Sequence, residues 1–407
     1  MKLLSTLLFL LSTLSAQASG WIQQTDFGGT ARHRTTMIAL GNKIYAGLGH
    51  YNGAGINILF EDWWEFDPAS GSWSQKANYL GGPCYHAAAF AIENVGYVGT
   101  GRITSNQLVK DFFKYDPITN TWMQISDFPG TGRRGAIAFA VNNYGYFGTG
   151  TGSSDMYRYN PVNDSWVIIA PLPGGSRMSA VGFAIDGYGY AGTGYRSNLG
   201  WSSSDFYKYN PALNSWTALP DVGVGALGTT TTRMEACGFS LNGKGYVLTG
   251  VNISSGDNYK DMWEFNPSTE TWVQIEDFDG TARRYLSGVE LNGFGYVGLG
   301  TNGTNFNDFW KFDQVLSVLN RNLQSIQLSA FPNPATDVLN IQVTWADHLP
   351  LENMMLTLTT LDGKKIASKP LKVDHNKFDI STLHAGTYIY AIEYDGKHIQ
   401  SGQIIKK

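Results

Sequence analysis

Short apolar runs separated by tight polar turns fill most of the chain, with a rhythm that no helix produces. Arg133 to Val141 is mostly apolar, and Asn142-Asn143 turns the chain into Tyr144 to Gly150. The equivalent turns Asp186-Gly187, Asn242-Gly243 and Asn292-Gly293 use residues that tolerate the positive φ of a two-residue hairpin. A third run alternates aromatic and polar residues, as in Asp155-Met156-Tyr157-Arg158-Tyr159-Asn160-Pro161. A Pro-containing turn then leads to a strand opened by a Trp, here Trp166. The pattern predicts four antiparallel strands, a to d.

That unit repeats. Tyr144 to Gly150 recurs as Val95 to Gly101, Tyr188 to Gly194, Lys244 to Gly250 and Phe294 to Gly300, with a weaker copy at Lys43 to Gly49. The anchoring residues Tyr45, Tyr97, Tyr146, Tyr190, Tyr246 and Tyr296 stand roughly 44–56 residues apart, the period of a four-stranded propeller blade. The sixth repeat stops at Phe312-Asp313 without a Trp strand. Trp21-Ile22-Gln23-Gln24-Thr25-Asp26-Phe27 matches Trp272 to Phe278, and both lead into Gly-Thr-Ala-Arg. The N-terminal strand is therefore expected to complete the last blade and close the ring.

The Tyr-x-Gly-x-Gly strand, the Asp-Pro or Asn-Pro turn and the downstream Trp resemble kelch repeats over residues 20 to 313. The resemblance implies an all-β fold, a six-bladed kelch-type β-propeller over residues 19–313. One departure is that the usual adjacent glycine pair is split, as Gly-Thr-Gly or Gly-Leu-Gly.

Both chain ends differ from the repeats. Lys2, the apolar stretch Leu3 to Leu14 and Ala16-Gln17-Ala18 read as a signal peptide over residues 1–18, cleaved after Ala18. Residues 314–325 read as a linker. Residues 326–407 show short alternating strands such as Val338 to Val343 and Leu356 to Leu361, with turns at Asp362-Gly363 and Asp395-Gly396, and predict a small β-sandwich. Phe331-Pro332-Asn333-Pro334, Leu383 to Tyr388 and the end Ile404-Ile405-Lys406-Lys407 resemble the C-terminal sorting domain of type IX secretion cargo. That resemblance implies an Ig-like sandwich recognised by the type IX machinery of a Bacteroidota-type bacterium. It further implies secretion or display on the outer-membrane surface.

Composition narrows the function. The net charge of −4 lacks the concentrated basic surface of a nucleic-acid binder. No apolar run is long enough to span a bilayer as a transmembrane segment. Cys84 and Cys237 fall in the second and fifth repeats, too far apart for a disulfide, so two free thiols are expected. A monomer is expected, with no cofactor and no metal.

In such a blade the b–c and d–a connections share one face. Length variation gathers there, in His50 to Glu61, Arg102 to Lys110, Tyr195 to Ser204, Val251 to Lys260 and Leu219 to Thr232. Loops on a rigid scaffold carry binding, so this face is the site candidate. At its centre, thirteen residues before each anchoring Tyr, lie Arg32, Arg133, Arg177, Arg233 and Arg283, with Cys84 in the second repeat. These arginines either brace neighbouring strands or form a ring for a carboxylate, sulfate or phosphate. One or two residues further on, the repeat breaks into His33, Arg34, Tyr85, His86, Arg134, Glu235, Arg284 and Tyr285, a variety suited to reading a ligand.

The ligand-binding candidates are Arg34, His86, Arg134, Arg177, Arg233, Glu235, Arg284 and Tyr285, facing a glycan or protein ligand. A galactose-oxidase-like copper site needs two His, two Tyr and a Cys cross-link, and the residues do not supply it. A carbohydrate-active enzyme of the sialic-acid epimerase (mutarotase) type is the alternative to a binding module. In it Glu235 would move a proton while Arg34 or Arg134 neutralises a carboxylate.

Overall fold

The computed structural model describes residues 20–224, 231–315, 327–344, 354–372, 376–394 and 397–407. The predicted signal peptide, most of the linker and the Asp395-Gly396 turn lie outside the described residues. Contacts divide the chain into one compact unit, Trp21–Gln314, and a second containing Val315–Lys407.

The first unit is all antiparallel β-structure. Ile137–Val141, Tyr144–Gly148, Met156–Asn160 and Ser165–Ile169 pair in chain order to make one sheet of strands a to d. Four further sheets repeat that order, beginning at Thr36–Leu40, Ala88–Ile92, Val181–Ile185 and Cys237–Leu241. The last sheet takes Ser287–Leu291, Phe294–Gly298 and Phe309–Phe312 from the end of the unit and Trp21–Gln24 from its beginning. Trp21 stands opposite Phe312 and Gln24 opposite Phe309. Each strand a adjoins strand a of the next sheet, and Ser287–Leu291 adjoins Thr36–Leu40, so the cycle closes.

Local chemistry explains the repeat. Asn142 and Asn143 sit at φ 50° and 63°, Asp186 and Gly187 at 48° and 83°, the left-handed pair that a two-residue hairpin requires. A Cβ on Gly145 would enter the ring of Phe90 on the preceding sheet, so glycine there permits intersheet packing. The recurrent Trp joins neighbours by a hydrogen bond. The indoles of Trp122, Trp166 and Trp216 donate to the carbonyls of Ala77, Ser126 and Ala170 at 3.0, 2.9 and 3.0 Å. Trp73 likewise donates to Thr25 just after the N-terminal strand, at 3.2 Å, which carries the same bond across the seam.

The repeated arginines are structural. Arg32, Arg133, Arg177, Arg233 and Arg283 are buried, and each guanidinium grips both oxygens of one carboxylate: Asp62, Asp155, Asp205, Asp261 and Asp308 in turn. Each also donates to the carbonyl of the residue just past strand b, as Arg177 does to Thr193 at 3.1 Å. The terminal nitrogens are thus spent inside the sheet, and the donors left unpartnered, Nε of Arg177 and of Arg233, are buried there. Arg177 and Arg233, expected among the ligand-binding residues, are corrected here to scaffold braces. The second sheet has Cys84 at this position. Its Asp111 makes no ion pair among the described residues, and burial with nearby Asp127 raises that carboxyl. Cys84 and Cys237 are both free and buried, and burial pushes the Cys84 thiol up to about 12.

The second unit packs two sheets over one core. Gln327–Phe331, Val338–Thr344 and Asn376–Asp379 form one; Lys365–Pro370, Met354–Thr360, Gly386–Tyr394 and Lys397–Lys406 form the other. Leu339, Ile341 and Val343 meet Leu356, Leu358, Ile392 and Ile404 between them. No helix among the described residues is long and apolar enough to cross a membrane.

Candidate functional site

Two residues beyond the brace position, the six sheets place Arg34, His86, Gly135, Ser179, Glu235 and Tyr285 in one geometry. All six have positive φ, from 56° at Ser179 to 64° at Gly135. For five of them that conformation costs of order 1 kcal/mol or more, so it persists only where its surroundings enforce it. A belt of backbone bonds does so. His86 N–H donates to Arg34 O, Gly135 to His86, Ser179 to Gly135, Glu235 to Ser179 and Tyr285 to Glu235, at 2.7–3.1 Å. The belt fixes the stems of the side chains that line a cavity of about 150 Å³. The space continues inward past Ala87, Ala136, Ala180 and Ala236, where the polar lining is limited to Thr35, Thr36, Cys237 and Ser287 and none of the lining side chains is charged. The polar mouth is where a ligand would be recognised.

Arg34, Tyr285 and Glu235 form a chain at its centre. Arg34 Nη2 donates to Tyr285 Oη at 2.6 Å, and the Tyr285 hydroxyl donates to Glu235 Oε1. Arg284 Nε lies 3.4 Å from Glu235 Oε2. Burial raises the Glu235 carboxyl above its usual range, against the opposing pull of Tyr285 and of Arg34, Arg284 and Arg134. Burial likewise raises the Tyr285 hydroxyl. The carboxyl is thereby poised to change protonation nearer neutrality than an exposed Glu would.

Three histidines border this chain as neutral groups. A guanidinium can only donate, so His33 Nε2 accepts from Arg34 at 2.8 Å, leaving the Nδ1 proton for Asn305 Oδ1 at 2.6 Å. His50 Nδ1 accepts from Arg34 at 3.3 Å while its Nε2 proton points to Asn57 Oδ1. Burial, then the Arg34 charge, lowers His33 to about 3. Burial also lowers His50, and takes His86 well below its ordinary value. The His86 ring packs edge-on to Tyr285 at 5.2 Å.

Two buried polar atoms at the mouth have no partner: Ser179 Oγ and Arg34 Nε. Unpartnered atoms also occur inside the sheets, as at Arg177 Nε, Arg233 Nε and Thr249 Oγ1, but Ser179 and Arg34 line a cavity, where an entering group can meet them. Around it stand Tyr85, stacked on His50 at 4.9 Å, and Arg134, whose Nη1 donates to Tyr85 Oη at 2.9 Å.

Of the expected residues, Arg34, His86, Glu235 and Tyr285 line one cavity, with Arg134 and Arg284 at its edge. Arg177 and Arg233 are turned away into the sheets. Ser179 and Arg102 were not anticipated. Ser179 holds the same register as Arg34 and Glu235, and that count along the repeat is the signal that identifies it. Arg102 reaches the mouth because strand b of the second sheet runs on to Ile103, which no residue pattern announces. Among the described residues no group of three or more His, Cys, Asp or Glu side chains is placed to hold a metal.

This is an all-β, propeller-like protein with a recessed polar mouth. Residues 329–407 match the family described as the secretion system C-terminal sorting domain, which indicates type IX export to the cell surface or extracellular space. Among solved structures, the one titled "Structure of YjhT" is similar, with a TM-score of 0.59 and 16% identity, covering 70% of this chain and 96% of that chain. At that identity the likeness is one of fold. No curated protein matches the chain.

Proposed function

We propose that the protein is an exported binding module, a six-bladed kelch-type propeller that receives a polar, hydroxyl-rich ligand such as a glycan terminus in its mouth. In this reading residues 1–18 are a signal peptide, 314–325 a linker and 326–407 an Ig-like sorting domain. The observation that carries the proposal is the pair of unpartnered atoms, Ser179 Oγ and Arg34 Nε, in a cavity that also holds Glu235 and Tyr285. A sugar offers adjacent hydroxyls that both donate and accept, which suits an orphan hydroxyl, an orphan N–H and a carboxyl together. The cavity of about 150 Å³ suits one ring or head group more than an extended polymer. Trp201, half exposed on the hairpin formed by Tyr195–Arg196 and Trp201–Ser202, adds an aromatic surface on the same face.

The test is a glycan array probed with the mature propeller, alongside a pull-down from surface extracts. Binding to a defined glycan supports the reading, and silence in both removes it. A second reading, acid–base catalysis of the mutarotase type, is favoured by the raised carboxyl of Glu235 and its bond to Tyr285. Proton NMR of sugar-anomer exchange decides it: Glu235→Gln must abolish any acceleration, and equal rates with and without wild-type protein end the idea.

A further inference from the structure

Every brace arginine is answered by an aspartate; the mouth arginines beside Tyr85 are not. Arg34 and Arg134 precede the first strands of two different sheets, Arg102 lies at the end of a strand of the sheet between them, and none makes an ion pair among the described residues. One phenol positions two of them, while Arg34 is held by Tyr285, His33 and His50. Arg134 Nη1 and Arg102 Nη1 both donate to Tyr85 Oη, at 2.9 and 3.5 Å. The Arg34 and Arg134 guanidiniums stand 5.5 and 5.6 Å from the Tyr85 ring centre. The nearest ring, His50, is held neutral and has both nitrogens engaged. Three like charges are thus gathered around a neutral aromatic platform with no ion pair of their own, Glu235 acting on Arg34 and Arg134 only from beyond contact, and the Nε of Arg34 is buried without a partner.

We propose that Arg34, Arg102 and Arg134 around Tyr85 form a receptor for a tetrahedral oxyanion, a sulfate or phosphate group borne by the ligand. The inference rests on the mouth being the binding site, and adds the chemical class of what enters it. A carboxylate has two oxygens and is satisfied by one guanidinium fork, as each brace pair demonstrates. Three guanidiniums from three directions match an anion whose terminal oxygens diverge. Tyr85 and the Arg134 side chain are held by the scaffold, so the donors are set before binding.

The experiment is isothermal titration of the full chain at low ionic strength with inorganic sulfate, inorganic phosphate and acetate. Sulfate or phosphate is expected to bind at least tenfold more tightly than acetate, and to weaken as salt is added. Arg102→Gln and Arg134→Gln are each expected to lower that affinity about tenfold. Arg158→Gln, an equal charge change on a strand c, is expected to leave it unaltered. Thermal melts of the variants separate lost binding from lost fold. A preference between the two ions assigns the ester; equal affinity leaves the shared chemistry standing. Acetate binding as well as either ion, no binding at all, or indifference to both mouth variants overturns the inference. An array positive only for neutral glycans with no anion binding sinks this inference and spares the binding module. Anion binding with an empty array and pull-down does the reverse.

Discussion

Adjacent arginines, Arg133 and Arg134, have opposite roles, and exchanging each for a neutral residue separates scaffold from site. Arg133 is buried, grips Asp155 through both nitrogens, donates to Thr149 O at 2.9 Å and lies over the Phe128 ring at 4.5 Å. Removing one partner of a buried pair costs about 3–5 kcal/mol, because the other charge is left unanswered. Asp155 is 28% exposed, so water recovers part of that charge, and Arg133→Met should cost about 3 kcal/mol. In a domain of this size that is a melting temperature lower by roughly 6 °C. Asp155→Asn added to Arg133→Met should recover about 1 kcal/mol, since the stranded charge goes too. Arg134 is half-buried and bonded only through Tyr85 and backbone atoms, so Arg134→Gln should stay within about 0.5 kcal/mol of wild type while losing oxyanion affinity. Urea unfolding gives the energies and titration gives the affinities. If Arg134→Gln unfolds the protein, or Arg133→Met costs less than about 1 kcal/mol, the division of roles is wrong.

The site should also burden the fold in a pH-dependent way. Burial raises Glu235, so the folded state favours its protonated form, and stability is lost as pH rises from the ordinary Glu range through the folded value. Glu235→Gln should therefore melt higher than wild type at pH 8, with the gap closing towards pH 4; a lower melt at pH 8 refutes the assignment. Histidines act in the other direction. His33 is held at about 3, so the unfolded chain takes up its proton below about 6.5 and the native state does not. Stability should fall on acidification between those values by up to about 1.4 kcal/mol per pH unit from His33, and His33→Gln should flatten that part of a pH–stability curve. Closure can be probed at the seam. Trp21 is buried against Phe278 and Phe312 at 5.0 and 4.9 Å, so Trp21→Ala should cost about 3–5 kcal/mol in urea unfolding, and a loss under about 1 kcal/mol would mean the N-terminal strand is dispensable.

The all-β character of the chain was readable because turn chemistry and packing repeat together. Asn142-Asn143 and Asp186-Gly187 signal hairpins by their tolerance of positive φ, and the alternation of Tyr and Gly on strand b reflects Phe side chains entering from the preceding sheet. The mouth was only partly legible. A repeated arginine looks the same in sequence whether it faces a ligand or an aspartate, and the aspartates lie 22 to 30 residues away, outside any local pattern. That is why Arg177 and Arg233 were misplaced, whereas Arg34, Glu235 and Tyr285, which break the repeat, line one cavity. Ser179 escaped because a small hydroxyl residue beside a strand start is unremarkable until its oxygen is seen to lack a partner. Arg102 depended on a strand extension set by pairing with Cys84–Tyr85, a tertiary event.

The central claim is that the ligand enters the belt-framed mouth at Ser179, Glu235 and Tyr285. Its most direct test is one glycan array probed in parallel with wild type, Ser179→Ala and Glu235→Gln, each first verified by its melting curve. The account predicts that glycans bound by wild type lose at least tenfold in signal with both folded variants. Undiminished binding by both would place the ligand elsewhere and contradict it.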